Sequence, residues 1–440
     1  MAHWFHRNPI KATNAITFDF GSQASTPLAR NICSEARSAR SNLLTIFADP
    51  TRDLSVLTDA AEKYLGILKG FVEPTTDPNA KSPPAQAPSS ENGEVESMEV
   101  SSGTGDSKLR NAIKFTWSNT LTEKHSSQHD FVFEQINILF NIALWHTKHA
   151  AALAGSKEDI AEDDAKVVHK CLRSAAGIFN YIDEKLTVKL FERSGDGTDL
   201  DPNIIKAYCQ QCTAEAQEVT VARAIEMKHT SSLISSLAFE TGKQFKMADN
   251  SLKAVEENLV QKWRKYLQLK ATFYLSYAHC YNGQTLLAQD KCGEAVRALK
   301  ESKSQFEKAD ELGRSYTATK GAGKSAKPHE HAFFRRLGPQ VRRTLEKVER
   351  ENGFIYFQKV PEVIPELPAK ATYGLASPVE YVMPNKHEDW TAETYNGFKI
   401  SKPDPEKREK DKDDAPKPVK EVPVNQTDKE SSSSSGCTIS

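Results

Sequence analysis

Hydrophobic positions in the second half of the chain recur at steps of three and four, the period of a helix with one buried face. Asp201-Pro202 opens this region as a capping carboxylate followed by a proline at the first helical position. Ile205, Tyr208, Cys212, Ala216, Val219 and Ala222 then fall on one face. A second helix is predicted through Ile234, Ala238, Thr241 and Phe245, with Thr241 the one polar member of its face. A third is predicted from Trp263 to Tyr281, with Leu267, Ala271, Tyr274 and Ala278 in phase, and Asn282-Gly283 reads as the turn after it. A fourth carries Cys292, Ala295, Leu299, Ser302, Phe306 and Ala309. Ala278, Gly283, Ala295 and Ala298 give this last pair the small-residue packing of a tetratricopeptide-like hairpin. Stacked hairpins present a long surface and no obvious catalytic pocket.

The same period predicts helices over Thr26–Ala48, with Leu28, Ile32, Ala36, Ala39, Leu43 and Ile46 in phase, and over Asp53–Phe71. It also predicts helices over Phe131–Ala154, Ala165–Val188 and His329–Glu351. The acidic run around Glu162, Asp163 and Asp164 suits a helix start, where exposed N–H groups carry partial positive charge. Ala15–Phe20 alternates as a short strand would, and Tyr316–Pro328 reads as a loop. Gly353 reads as a helix stop before a β-rich segment laid against the helices. Pro361, Pro365, Pro368, Pro378 and Pro384 then predict an extended strap. Between Pro74 and Asp106 large apolar residues nearly vanish, so a disordered insertion is expected inside a domain spanning 1–400. A disordered tail is expected over 401–440.

Composition narrows the function classes. The 440 residues are 27% charged and 38% hydrophobic, and no apolar run is long enough to span a bilayer. A net charge of −1 argues against nucleic acid as the main partner. The seven cysteines are scattered, a pattern of reduced thiols, and Met1–Pro9 lacks a signal-peptide core. The end of the sequence carries the clearest chemistry. Cys437, followed by Thr438, Ile439 and Ser440, fits the C-a-a-X prenylation pattern, and serine at the last position favours farnesyl, attached by protein farnesyltransferase. One lipid chain holds a membrane only marginally. The folded body, or a partner already on the membrane, is expected to supply a second attachment. Treated as a flexible coil, the tail would reach about 35 Å. Arg335, Arg336, Arg342 and Arg343 lie on a basic helix that is either a solvated face or a contact for anionic lipid.

Four stretches resemble the Bro domain family of adaptors in the ESCRT membrane-remodelling pathway. They are Leu139–Leu144, Ala214–Val219, Lys262–Tyr266, and Gly353–Tyr356 with Val360-Pro361. The resemblance implies a mainly α, banana-shaped domain with a tetratricopeptide-like helical hairpin core and a small β element. It further implies a non-enzymatic adaptor that docks the C-terminal amphipathic helix of an ESCRT-III subunit, the charged multivesicular body protein of the fourth class. This would be helix-in-groove recognition. On the family's pattern Leu233 and Leu237 fall at apolar docking positions and Glu162 at an acidic one. Thr220 stands where some relatives carry an aromatic, a departure expected to weaken one apolar contact. Periodicity alone favours the plainer reading, in which both leucines widen the core stripe, with Leu233 on its flank and Leu237 nearer the core. The expected setting is cytoplasmic, on endosomal or nuclear-envelope membranes through the lipid, as a monomer. The alternative is a prenylated scaffold whose groove serves another client.

Other candidates read as structural. Cys209 and Cys212 have metal-ligand spacing but lie inside a helix with no second pair. Gly321–Ser325 lacks the first glycine and the preceding strand of a phosphate loop. His3 with His6, and His146 with His149, have no third ligand nearby in the sequence. No cofactor is expected beyond the covalent lipid, and no convergent catalytic cluster is evident.

Overall fold

The computed structural model describes residues 5–75, 106–122, 124–155, 160–192, 195, 197–324, 326–367, 371, 373–400 and 415–423. The fold is mainly helical. Helices α1 (Pro27–Phe47) and α2 (Leu54–Val72) precede a two-stranded antiparallel sheet of β1 (Phe115–Ser118) and β2 (His125–Gln128). There follow α3 (Phe131–Gly155), α4 (Glu162–Tyr181), α5 (Pro202–Glu226), α6 (Ser231–Ser251), α7 (Glu257–Ala288), α8 (Cys292–Ala318), α9 (Ala332–Glu351) and the short α10 (Ala392–Asn396). From α3 to α9 each helix packs on the next in sequence.

Local chemistry sets the helix starts. Thr26, Asp53, Asp201 and Thr230 each accept a backbone N–H of the first turn, and Pro27 and Pro202 occupy the position where a missing N–H costs nothing. Most of the large polar side chains inside the core are paired, with exceptions such as Asn137 Oδ1 and His146 Nδ1. Glu134, in the first turn of α3, accepts from Arg40 of α1 (2.8 Å), Tyr64 of α2 (2.9 Å) and Trp117 of β1 (2.6 Å). One buried carboxylate thus ties three elements to the positive end of a fourth. Glu215, in the middle of α5, accepts from Arg7 of the N-terminal segment, Tyr266 of α7 and Gln211 of its own helix.

The structure departs from the sequence expectations at several points, each for a packing reason. Asn282-Gly283 is not a turn: α7 continues to Ala288, and the chain reverses at Gln289–Lys291, where Asp290 adopts a left-handed φ of 61°. A β-carbon on Gly283 would stand 2.7 Å from Leu299 Cγ, so this glycine lets α7 and α8 approach closely. Ala15–Phe20 forms no strand; a left-handed Phe18 (φ 53°) bends the segment so that Phe18 and Phe20 both enter the core. The β element lies instead at β1–β2. Leu28 faces solvent, and Ala29 takes its place on the buried face of α1. The helix expected over Ala165–Val188 is α4 followed by a wide turn (Ile182–Leu186) and a short tight one (Thr187–Lys189).

Tyr316 belongs to α8, fully buried, rather than to the following loop. α9 ends at Glu351, just before Gly353, but the chain does not yet leave its helical path. The chain continues through a wide turn, Asn352–Tyr356, that ends at a left-handed Phe357 (φ 52°). No strand follows: Phe354, Ile355 and Phe357 are exposed, Phe357 by 75%. Beyond Phe357 the described residues up to Asp389 form an extended strap without a helix, as the prolines predicted. Most of the expected insertion, residues 76–105, lies outside the described residues. Residues 415–423 of the expected disordered tail are in place against the body.

Candidate functional site

The strap decides where the surface can receive a partner. It crosses one helix after another, and at each crossing a glycine opens the way. A β-carbon on Gly293 of α8 would stand 2.4 Å from Lys359 O, one on Gly177 of α4 1.6 Å from Val379 O, and one on Gly66 of α2 2.8 Å from Asn385 O. Backbone bonds fasten the same crossings: Val379 N–H donates to Arg173 O and His387 N–H to Gly66 O, both at 3.0 Å. Between the Lys359 and Val379 crossings, Gln217 of α5 holds the strap from inside. Its Nε2 donates to Gly374 O (2.8 Å) and its Oε1 accepts from Ala376 N–H (2.5 Å). Periodicity gave no sign of this, because glycines inside a helix pattern carry no phase. Gly177 within Ala176-Gly177-Ile178-Phe179 and Gly66 within Leu65-Gly66-Ile67 were the available signal.

The family-derived residues gather where the strap passes α5 and α6. Gly374, left-handed at φ 77°, lies over Leu237 and Thr220: a β-carbon there would stand 3.4 Å from Leu237 Cδ2 and 3.6 Å from Thr220 Cγ2. Leu237 is therefore core, 1% exposed, and cannot itself be a surface anchor while the strap is seated. Leu233, one turn earlier on the same face of α6, is half-buried and open to a partner. Thr220 is also half-buried. Glu162, the first residue of α4, reaches Arg223 of α5 at 3.5 Å and Lys166 at 3.2 Å, with its side chain 62% exposed. Arg223 in turn pairs with Glu226 (2.9 Å). Tyr373, beside Gly374, is 62% exposed, an aromatic that the sequence reading did not single out. Leu237 and Thr220 lie together beneath Gly374, Leu233 is one turn from Leu237, Tyr373 flanks Gly374, and Arg223, three residues on from Thr220, pairs with Glu162, so these positions outline one surface patch. The strap is one wall of it. This arrangement suits an amphipathic segment and contains no acid–base pair poised for chemistry.

Two further surfaces were singled out by sequence. Arg335, Arg336 and Arg343 line, with Ala332, Pro339 and Gln340, a shallow depression of about 590 Å³ on α9, and Arg342 is exposed nearby. Cys437, Thr438, Ile439 and Ser440 lie outside the described residues.

The structural readings of the remaining candidates fit what surrounds them. Burial pushes the Cys209 thiol up to about 11 and that of Cys212 well above its usual range, so neither is a ready thiolate. Among the described residues no group of acidic, His and Cys side chains could hold a metal ion. His6 is buried between Tyr316 and Asn8, at 3.1 and 3.2 Å, and burial with nearby Lys262 lowers its pKa to about 3. His149 is bonded to Pro50 O at 2.8 Å. The Gly321–Ser325 loop is tied to the N-terminal segment by Lys324 N–H donating to Arg7 O (2.9 Å). No described helix is long and apolar enough to cross a membrane.

Comparison with known proteins agrees with this architecture. Residues 104–399 match the BRO1-like domain, and the chain belongs to that family. Among individual relatives it is 45% identical to the BRO1 domain-containing protein BROX of Xenopus tropicalis over 419 residues, covering 95% of this chain and 94% of the relative. It is 45% identical to the protein of the same name from Homo sapiens, over 91% and 92% of the two chains. It is 41% identical to the BROX homolog of Caenorhabditis elegans over the full length of both. The fold is similar to a solved ALIX BRO1 CHMP4C complex, with a TM-score of 0.61 at 18% identity, over 88% of this chain and 99% of that one. It is likewise similar to a Bro1 domain solved to explain endosomal targeting, with a TM-score of 0.58 at 20% identity, over 89% and 98%.

Proposed function

We propose that this chain is a non-enzymatic adaptor that binds the C-terminal amphipathic helix of a fourth-class charged multivesicular body protein of ESCRT-III. In this reading it holds that subunit near a membrane through a farnesyl thioether on Cys437. The observation that carries the reading is the patch of Leu233, Thr220 and Tyr373 near the Glu162–Arg223 rim, on a fold shared with a BRO1 domain solved together with CHMP4C. An amphipathic helix laid there would bury its apolar face against Leu233 and Tyr373 and place a basic side chain near Glu162. Leu237 serves as the floor, seating α6 and the strap rather than touching the partner. The lipid supplies reversible attachment to an endosomal or nuclear-envelope surface. The arginines of α9 add attraction to anionic headgroups, the second weak contact a singly lipidated protein needs.

The test is titration calorimetry of the full chain with the isolated ESCRT-III helix. Leu233→Asp is expected to abolish binding, because a carboxylate would lose its water against an apolar surface, a cost of about 2 kcal/mol or more. The far-ultraviolet circular dichroism should not change. Unaltered affinity would reject this face, and no binding by the unmodified chain would point to a different client for the groove.

A further inference from the structure

The tail is fastened to the body far from its own domain boundary. Residues 415–423 run Ala-Pro-Lys-Pro-Val-Lys-Glu-Val-Pro, with prolines at 416, 418 and 423 that hold the segment extended before it binds. Val419 packs against the core, and Glu421, two residues on and so on the same side of an extended chain, points inward. One carboxylate oxygen of Glu421 accepts the N–H of Ile10 at 2.8 Å, and the other meets Lys148 Nζ at 2.6 Å. Val422 N–H donates to Ala48 O at 2.8 Å, capping the end of α1.

Lys148 makes this more than casual packing. Its side chain is 2% exposed on α3, and among the described residues Glu421 is the one anion paired with it. Burial pulls its pKa down, Glu421 opposes that, and the charges of Lys324 and Arg7 add to the pull. A cation buried beside other cations needs a counter-charge, and here a residue of the tail supplies it. Arg7 is already committed to Glu215. We propose that the cradle of Ile10, Ala48 and Lys148 is a docking site for an extended, valine-flanked carboxylate peptide, with residues 415–423 as its resident ligand. Seated there, the tail acts as a releasable latch.

The latch changes what the end of the chain can reach. Treated as a coil, the chain would carry Cys437 about 35 Å from Ile400 but about 22 Å from Pro423. Docking also moves the point of departure from beside α10 to the end of α1. This consequence rests on the reading of Cys437 as the lipid site; the latch itself does not.

Hydrogen–deuterium exchange on the full chain tests it. In the unmodified protein the amide of Val422 should be protected at least about tenfold over a free peptide of residues 415–423, and that of Ile10 at least about tenfold over its unstructured rate. Glu421→Lys should bring residues 417–422 to the free-peptide rate and expose Ile10, leaving α5–α8 unchanged. Lys148→Met, which removes the buried charge and so avoids an unpaired cation, should free the same segment without lowering the melting temperature. The free peptide, added to the Glu421→Lys chain, should restore protection at Ile10, and should do nothing to the unmodified chain. Free-peptide exchange of 417–422 in the unmodified protein, or protection that survives both substitutions, would overturn the latch. Membrane pelleting has no bearing on these readouts, so failure of the lipid reading and failure of the latch are distinguishable.

Discussion

Gln217 Nε2 donates to the carbonyl of Gly374 across 2.8 Å, from inside α5 to the middle of the strap. With the bond from Ala376 N–H to Gln217 Oε1, this side-chain amide mimics a strand partner for one stretch of the strap. The strap in turn roofs Leu237 and walls the patch around Leu233. Gln217→Ala should leave the part-buried Gly374 carbonyl and the buried Ala376 N–H without their partner, costing about 1–3 kcal/mol. Amide exchange at 373–379 should rise before α5 or α6 loosens, and Leu237 should gain exposure. Unchanged exchange there would mean the strap is held elsewhere.

Gly177→Ala should act on the same strap from a different helix. The added methyl meets Val379 O at 1.6 Å, a backbone atom that can move only if the crossing opens. A loss of about 1–3 kcal/mol in denaturant unfolding is expected, with the bond from Val379 N–H to Arg173 O broken. A variant as stable as the parent would show that the strap re-seats at no cost.

The pH dependence should carry a signature of His6. Ala326 N–H donates to Tyr316 Oη, Tyr316 O–H donates to His6 Nδ1, and His6 Nε2–H donates to Asn8 Oδ1, a chain that fits the neutral ring. With the folded pKa near 3 against 6.5 unfolded, the unfolded state takes up a proton first as pH falls. The contribution is fully present above pH 6.5 and is lost down to about pH 3, at up to about 1.4 kcal/mol per pH unit. Denaturant unfolding between pH 7 and 4.5 should show this slope, and His6→Gln should flatten it by about that amount. An equal slope in the variant would place the proton uptake at other groups.

Membrane attachment should separate into two parts. Cys437→Ser should release the protein from membranes yet leave titration with the ESCRT-III helix unchanged. Arg342→Gln combined with Arg343→Gln should weaken binding of the lipidated chain to phosphatidylserine vesicles about thirtyfold, at about 1 kcal/mol per arginine, and not to neutral ones. Pelleting that persists in the serine variant would remove the lipid from the account. Equal loss on both vesicle types would remove the arginines.

The helices were legible in the sequence because a helix writes its buried face into the local order of residues. Ile205 to Ala222 and Phe334 to Val348 were read correctly on that basis, as was the cap at Asp201. Gly283 misled because a glycine that ends a helix and one that admits a neighbouring helix look alike until Leu299 is seen beside it. The family was legible through four short motifs. That Leu237 lies beneath the strap was not, since its helical phase fits both floor and surface.

What the amino-acid order determined by itself was the set of helices, their capped starts and the extended course of the proline-rich strap, because each depends on contacts a few residues apart. Tertiary structure alone decided which glycines the strap crosses, that Gln217 pins it, and that Glu421 neutralises Lys148. Those partners lie 157 residues apart for Gln217 and Gly374 and 273 for Lys148 and Glu421, and nothing local records the distance at which a buried charge will find its counter-ion.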